Sequence, residues 1–149
     1  MKKKLLGVIL ILSLFFNVIL GFALCTKVND TSDFENGFLS EIIFAIQRFE
    51  ECQKQPSEGN YTVGVAHLYS AWTMLIKIDR TELTYKQADD FHELWNIASL
   101  YPDLFTNRMD DIIQILKQIK ADNDFNNTDA LLELSKFNTS IRCETGKAN

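Results

Sequence analysis

From Leu5 to Leu24 the chain carries no charged residue, and Lys2, Lys3 and Lys4 stand directly before this run. Within these 20 residues only Ser13 and Asn17 are clearly polar. At 1.5 Å of rise per residue the run makes a helix about 30 Å long, the thickness of a bilayer's hydrocarbon core. A helix apolar on every face needs lipid or a large protein interior around it, and the roughly 120 residues that follow supply one modest core. Residues 1–25 are therefore expected to form a single transmembrane anchor.

A cleaved secretory signal has a shorter apolar core, of roughly 7 to 15 residues. Gly21-Phe22-Ala23 and Ala23-Leu24-Cys25 nevertheless put small residues at the spacing a signal peptidase reads, so secretion after cleavage stands as the alternative. Cys25 follows Leu24, a departure from the small residue that precedes the cysteine in bacterial lipid attachment. Behind the run only Lys27 is close, followed by Asp30 and Asp33. The positive-inside tendency then puts the N-terminus in the cytoplasm and the C-terminal domain outside the cell membrane.

Setting aside the three leading lysines from 15 basic residues, and keeping all 20 acidic ones, leaves the outer part with a formal net charge of −8. Nucleic acid is excluded as a partner, because phosphate binding needs clustered Lys and Arg and here they are scattered. Gly and Pro number six and two, and no linker divides the chain. Beyond a tether at 26–31, residues 32–142 read as one domain of ordinary size, followed by a polar tail at 143–149.

Helical periodicity runs through that domain. Ser32-x-x-Glu35 reads as a capping box, and Phe34, Phe38, Ile42, Ala45, Ile46, Phe49 and Cys52 fall on one stripe. Pro56, with Ser57 and Gly59, marks the break. Tyr61 to Ile78 puts Val65, Leu68, Trp72, Leu75 and Ile76 on one face and reads as the central, most buried helix, although Tyr61 to Val65 also has strand character. Thr84-x-x-Gln87 is a second capping box, opening a helix with Ala88, Phe91, Leu94, Trp95 and Ala98, which Tyr101-Pro102 stops.

After Asp103, a helix with Phe105, Met109, Ile112, Ile113, Leu116 and Ile119 follows, and a last one runs from Asp129 to Ile141 with Leu131, Leu132, Leu134 and Phe137. Short connections favour antiparallel neighbours. The expected fold is all-α: an N-terminal transmembrane helix followed by a four- to five-helix bundle, with Trp72 and Trp95 in its core.

Cys25, Cys52 and Cys143 are an odd number. In an oxidising exterior Cys52 and Cys143 either pair, closing a loop of about 90 residues worth on the order of 4 kcal/mol, or stay free, with Cys52 in the core and Cys143 in a frayed tail. Asn29, Asn60, Asn126 and Asn138 each begin an Asn-x-Ser/Thr triplet, a glycan acceptor in a eukaryotic secretory pathway.

Little catalytic chemistry survives inspection. His92-Glu93-Leu94-Trp95-Asn96 begins like the zinc protease motif but has Asn96 where the second histidine belongs. Asp89-x-x-His92 has no second copy to complete a di-metal bundle. No nucleophile elbow or phosphate-binding glycine loop is present.

Asp122 to Glu133 resembles an EF-hand calcium loop, with Asp122, Asp124, Asn126 and Glu133 at positions 1, 3, 5 and 12. Asn127 replaces its turn glycine and Asp129 its apolar eighth residue. A polar connector ending in an N-cap at Asn127 or Thr128 explains the same residues without a metal. No cofactor, metal or catalytic residue is assigned.

The expected function is a membrane-tethered extracytoplasmic interaction module, of accessory, inhibitor or immunity type, acting on another membrane or envelope protein. The alternative is a small-ligand or Ca²⁺-sensing bundle at the outer membrane surface. An enzyme is not expected.

Overall fold

The computed structural model describes residues 16, 33–78, 82–121 and 128–147. The chain divides into two compact units, Met1–Asp33 and Phe34–Asn149. In the first, Phe16 is helical and exposed. The rest of the Leu5–Leu24 run lies outside the described residues. Among the described residues no helix is long and apolar enough to cross a membrane.

From residue 33 onward the described residues form six helices and no strand. They are α1 (33–54), α2 (Glu58–Leu75), α3 (Glu82–Leu100), α4 (Pro102–Asn107), α5 (Met109–Ala121) and α6 (Thr128–Lys147). The bundle is thus all-α, with one more helix than the periodicity predicts.

The α1 stripe is buried as expected, from Phe38 through Ile42, Ala45, Ile46 and Phe49 to Cys52. Its opposite edges pair outward: Arg48 with Glu51 at 2.7 Å, and Glu50 with Lys117 of α5 at 2.7 Å. Helix α1 is the hub. Phe38 meets Phe91 of α3 edge-on at 5.1 Å, and Phe49 meets Tyr61 of α2 and Phe105 of α4 at 6.3 and 5.3 Å.

Helix α2 is a flank of the bundle and its buried side is Gly64, Leu68, Ala71 and Leu75. Leu68 and Leu75 of the expected face are buried, whereas Val65 and Trp72 are only partly buried and Ile76 is exposed, because the buried side is turned toward Gly64, which lies against the Phe49 ring of α1. Tyr61 to Val65 is helical, started by Ser57, whose side chain accepts from the Asn60 backbone N–H.

Helix α3 begins at Glu82, before Thr84, so Thr84-x-x-Gln87 is no capping box; Gln87 lies buried on the inner side with Ala88 and Phe91. Ser32, of the first box, lies outside the described residues. Pro102 takes the first position of α4, where its missing N–H costs nothing.

The helix expected after Asp103 is two helices, α4 and α5, separated at Arg108. That side chain binds Asp111 at 3.0 Å and Ser140 and Glu144 of α6, and its guanidinium lies 5.0 Å from the Phe137 ring centre. The stripe still holds across the break, with Phe105, Met109, Ile112, Ile113 and Leu116 buried.

Helix α6 buries Ala130, Leu134, Phe137 and Ile141, while Leu132 is exposed. It runs past Ile141 to Lys147, so the polar tail is helical almost to its end. Arg142 pairs with Glu93 of α3 and Glu144 with Arg108, which ties the last turns down. Cys143 is exposed on this stretch and Cys52 is buried on α1; both are free thiols, and the disulfide considered from sequence is not formed.

Candidate functional site

Helix α3 has three sides. Phe91, Leu94 and Ala98 point into the core, His92 and Trp95 lean toward α2, and Asp89, Asp90 and Glu93 lean toward α6. Helical spacing puts residues three and four apart side by side, so each flank becomes a short continuous row. Two surface features result, and His92 belongs to both.

On the α2 flank, Tyr69 and Trp72 meet His92 and Trp95. The two indoles are parallel, with centroids 6.2 Å apart and 4° between planes. His92 lies 4.6 Å from Trp72 and 5.6 Å from Trp95, and Tyr69 lies 5.4 and 5.1 Å from the same two rings. The expectation that Trp72 and Trp95 sit in the core is corrected. Both are half-buried, and Tyr69 is 44% exposed. Rings this large have polar N–H and O–H edges, which favour the boundary between core and water.

On the other flank, α3 and α6 enclose a groove of about 350 Å³ lined by Asp89, Asp90, His92, Glu93, Ser135, Asn138, Thr139 and Arg142. The α6 members recur at three- and four-residue steps. Asn138 is only 4% exposed. Its Nδ2 donates to the Asp90 carbonyl at 2.9 Å, but its buried Oδ1 accepts nothing among the described residues. Burial also pushes the Asp90 carboxyl above the ordinary range, opposed by Lys86 and a hydrogen bond from Ser135 and reinforced by Asp89 and Glu93.

The Glu93–Arg142 pair lines one end of this groove. The Arg142 hydrogen bond holds Glu93 below the usual carboxylate range, and Glu93 in turn raises Arg142. Beyond the pair lies a second hollow of about 290 Å³, where Ile97, Leu100, Tyr101 and Ile141 supply an apolar lining. Leu100 is 68% exposed.

Asp122, Asp124 and Asn126 lie outside the described residues, and Glu133 is exposed on α6. Thr128, seventh in the calcium-loop pattern, is the first residue of α6. A helical carbonyl there turns into the backbone ladder, whereas the calcium loop uses it as a ligand. Among the described residues no group of three His, Cys, Asp or Glu is placed to hold a metal. His67 is far along the chain from His92 and binds Glu41 at 2.7 Å.

Asp90, Ser135, Asn138 and Arg142 escaped the reading of the sequence. One signal was available: Leu134, Asn138 and Ile141 follow helical spacing, so a polar amide stands on an apolar stripe. Asn138 is also excluded as a glycan acceptor by its burial within α6. The chain matches no protein-family model, no curated protein and no solved structure.

Proposed function

We propose that this protein is a membrane-tethered interaction module whose helical unit docks onto the extracytoplasmic part of another membrane protein. The support for the tether is the uncharged 20-residue run behind Lys2 to Lys4. The support for docking is one observation, the half-exposed cluster of Tyr69, Trp72, His92 and Trp95. Trp and Tyr are the side chains most enriched where protein interfaces concentrate their binding energy, since they bury large area at low entropy cost. The net charge of −8 beyond the lysines weighs against nucleic acid.

The test uses the full chain in its own membranes. After carbonate washing the protein stays with the membrane pellet, and zero-length or short-arm crosslinking gives a discrete adduct. Trp72→Ala abolishes that adduct while the melting temperature shows the bundle intact. Release into the soluble fraction overturns the tether, and an adduct indifferent to Trp72→Ala and Tyr69→Ala overturns the docking face.

A further inference from the structure

We infer that the α3–α6 groove is a binding site for a small primary amine in its ammonium form. The case begins with Asn138, a polar side chain 4% exposed whose Oδ1 has no hydrogen-bond partner among the described residues. A buried acceptor left unpaired destabilises the fold, and native proteins rarely leave one without a reason. Its own Nδ2 is committed to the Asp90 carbonyl, which fixes the amide with nitrogen toward α3 and leaves the oxygen wanting a donor.

The rest of the lining has the same imbalance. The Thr139 hydroxyl donates to the Ser135 carbonyl at 2.8 Å, Ser135 donates to Asp90, and Arg142, which gives its Nε–H to Glu93, is the one Arg or Lys of a lining that carries the carboxylates Asp89, Asp90 and Glu93. The balance is toward acceptors: Asn138 Oδ1, the Asp90 carboxyl and Asp89, which has no ion-pair partner among the described residues. A groove with acceptors in excess, and carboxylates among them, selects a cation that is itself rich in N–H donors. A primary ammonium has three and no acceptor.

The hollow past Glu93 and Arg142 adds the second half of the ligand. It offers Ile97, Leu100, Tyr101 and Ile141 to an apolar body, so the fitting molecule has an ammonium head and a short alkyl or aryl tail. This groove shares His92 with the Trp72–Trp95 face, and neither inference depends on the other.

The experiment is isothermal titration of the full chain in lipid nanodiscs with hexylamine, using empty nanodiscs as the blank. Saturable binding is expected, with hexanol and hexyltrimethylammonium at least about tenfold weaker, since one lacks the charge and the other the donors. Asp89→Asn, on an exposed position that leaves folding alone, weakens hexylamine about tenfold. Asn138→Leu does the same where its melting curve shows a folded bundle, and Asp89→Asn decides the matter otherwise. Equal binding of hexylamine and hexyltrimethylammonium overturns the proposal. So do an unchanged affinity in Asp89→Asn, no heat from hexylamine, and Ca²⁺ competing hexylamine off at equal concentration.

Discussion

Gly64 of α2 lies so close to Phe49 of α1 that a β-carbon on it would stand 2.5 Å from Cε1 and 2.8 Å from Cδ1 of the ring. Glycine inside a helix costs roughly 0.5–1 kcal/mol relative to alanine, so on propensity alone Gly64→Ala would stabilise. The contact reverses the sign. Phe49 is fully buried between Tyr61 and Phe105 and has nowhere to move. Gly64→Ala is expected to lower stability by about 1–3 kcal/mol in urea unfolding. Gly59→Ala is the control: its added carbon meets only Ser57 Oγ at 3.5 Å, and it should stabilise by up to about 1 kcal/mol.

The same pair shows what a sequence discloses and what it withholds. The stripes Phe38 to Cys52 and Met109 to Leu116 were legible because large apolar residues at helical spacing have to be covered. Which neighbour covers a face is a different question. On α2 the periodicity finds Leu68 and Leu75 but not Gly64 and Ala71, residues without apolar bulk to announce a buried side. The division at Arg108 was hidden because its side chain answers to Ser140 and Glu144, more than thirty positions away. Asn138 stands on the apolar stripe of Leu134 and Ile141, but only its partner across the groove shows which neighbour its amide serves.

Tyr61 closes the far end of α3. Its hydroxyl donates to the Ala98 carbonyl at 2.7 Å, within the last turn, where helical carbonyls lack partners of their own. Tyr61→Phe leaves the ring in place against Phe49 and Phe105 and removes that bond. The expected loss is about 1 kcal/mol, read from a urea midpoint. Burial also raises the phenol above its ordinary range. The raised value means that the folded state favours the protonated form. Its stabilising share is therefore whole below the unfolded pKa of about 10 and is lost as pH rises beyond it. Tyr61→Phe should flatten that alkaline loss; an unchanged slope would reject the assignment.

The two described cysteines should behave oppositely toward a thiol reagent. Cys143 is exposed on α6, whereas Cys52 is 8% exposed with its Sγ 3.7 Å from the Ser57 carbonyl. In a Cys25→Ser background, labelling should show one fast thiol and one that reacts only as fast as the bundle opens. Urea should merge the two phases. A chain that exposes no thiol until reductant is added would mean that Cys52 and Cys143 are joined, contrary to the structure.

Asp90 and Glu93, one turn apart on α3, should respond to pH with opposite signs. Asp90 is raised first by burial, with Lys86 and Ser135 opposing and Asp89 and Glu93 reinforcing. A raised carboxyl is no burden while protonated, below the unfolded value of about 3.9, and becomes one as pH climbs through the folded value. Asp90→Asn should therefore match the wild type near pH 3 and exceed it in stability at pH 7. Glu93 is lowered first by its hydrogen bond from Arg142, so its contribution is present above the unfolded value of about 4.3 and fades as pH falls. Glu93→Gln should be the less stable protein at pH 7 and converge on the wild type in acid. Urea midpoints for the three proteins across that range decide the matter. Parallel curves for Asp90→Asn and the wild type would mean that the carboxyl is solvated, and the groove's floor would then be more open than this structure describes.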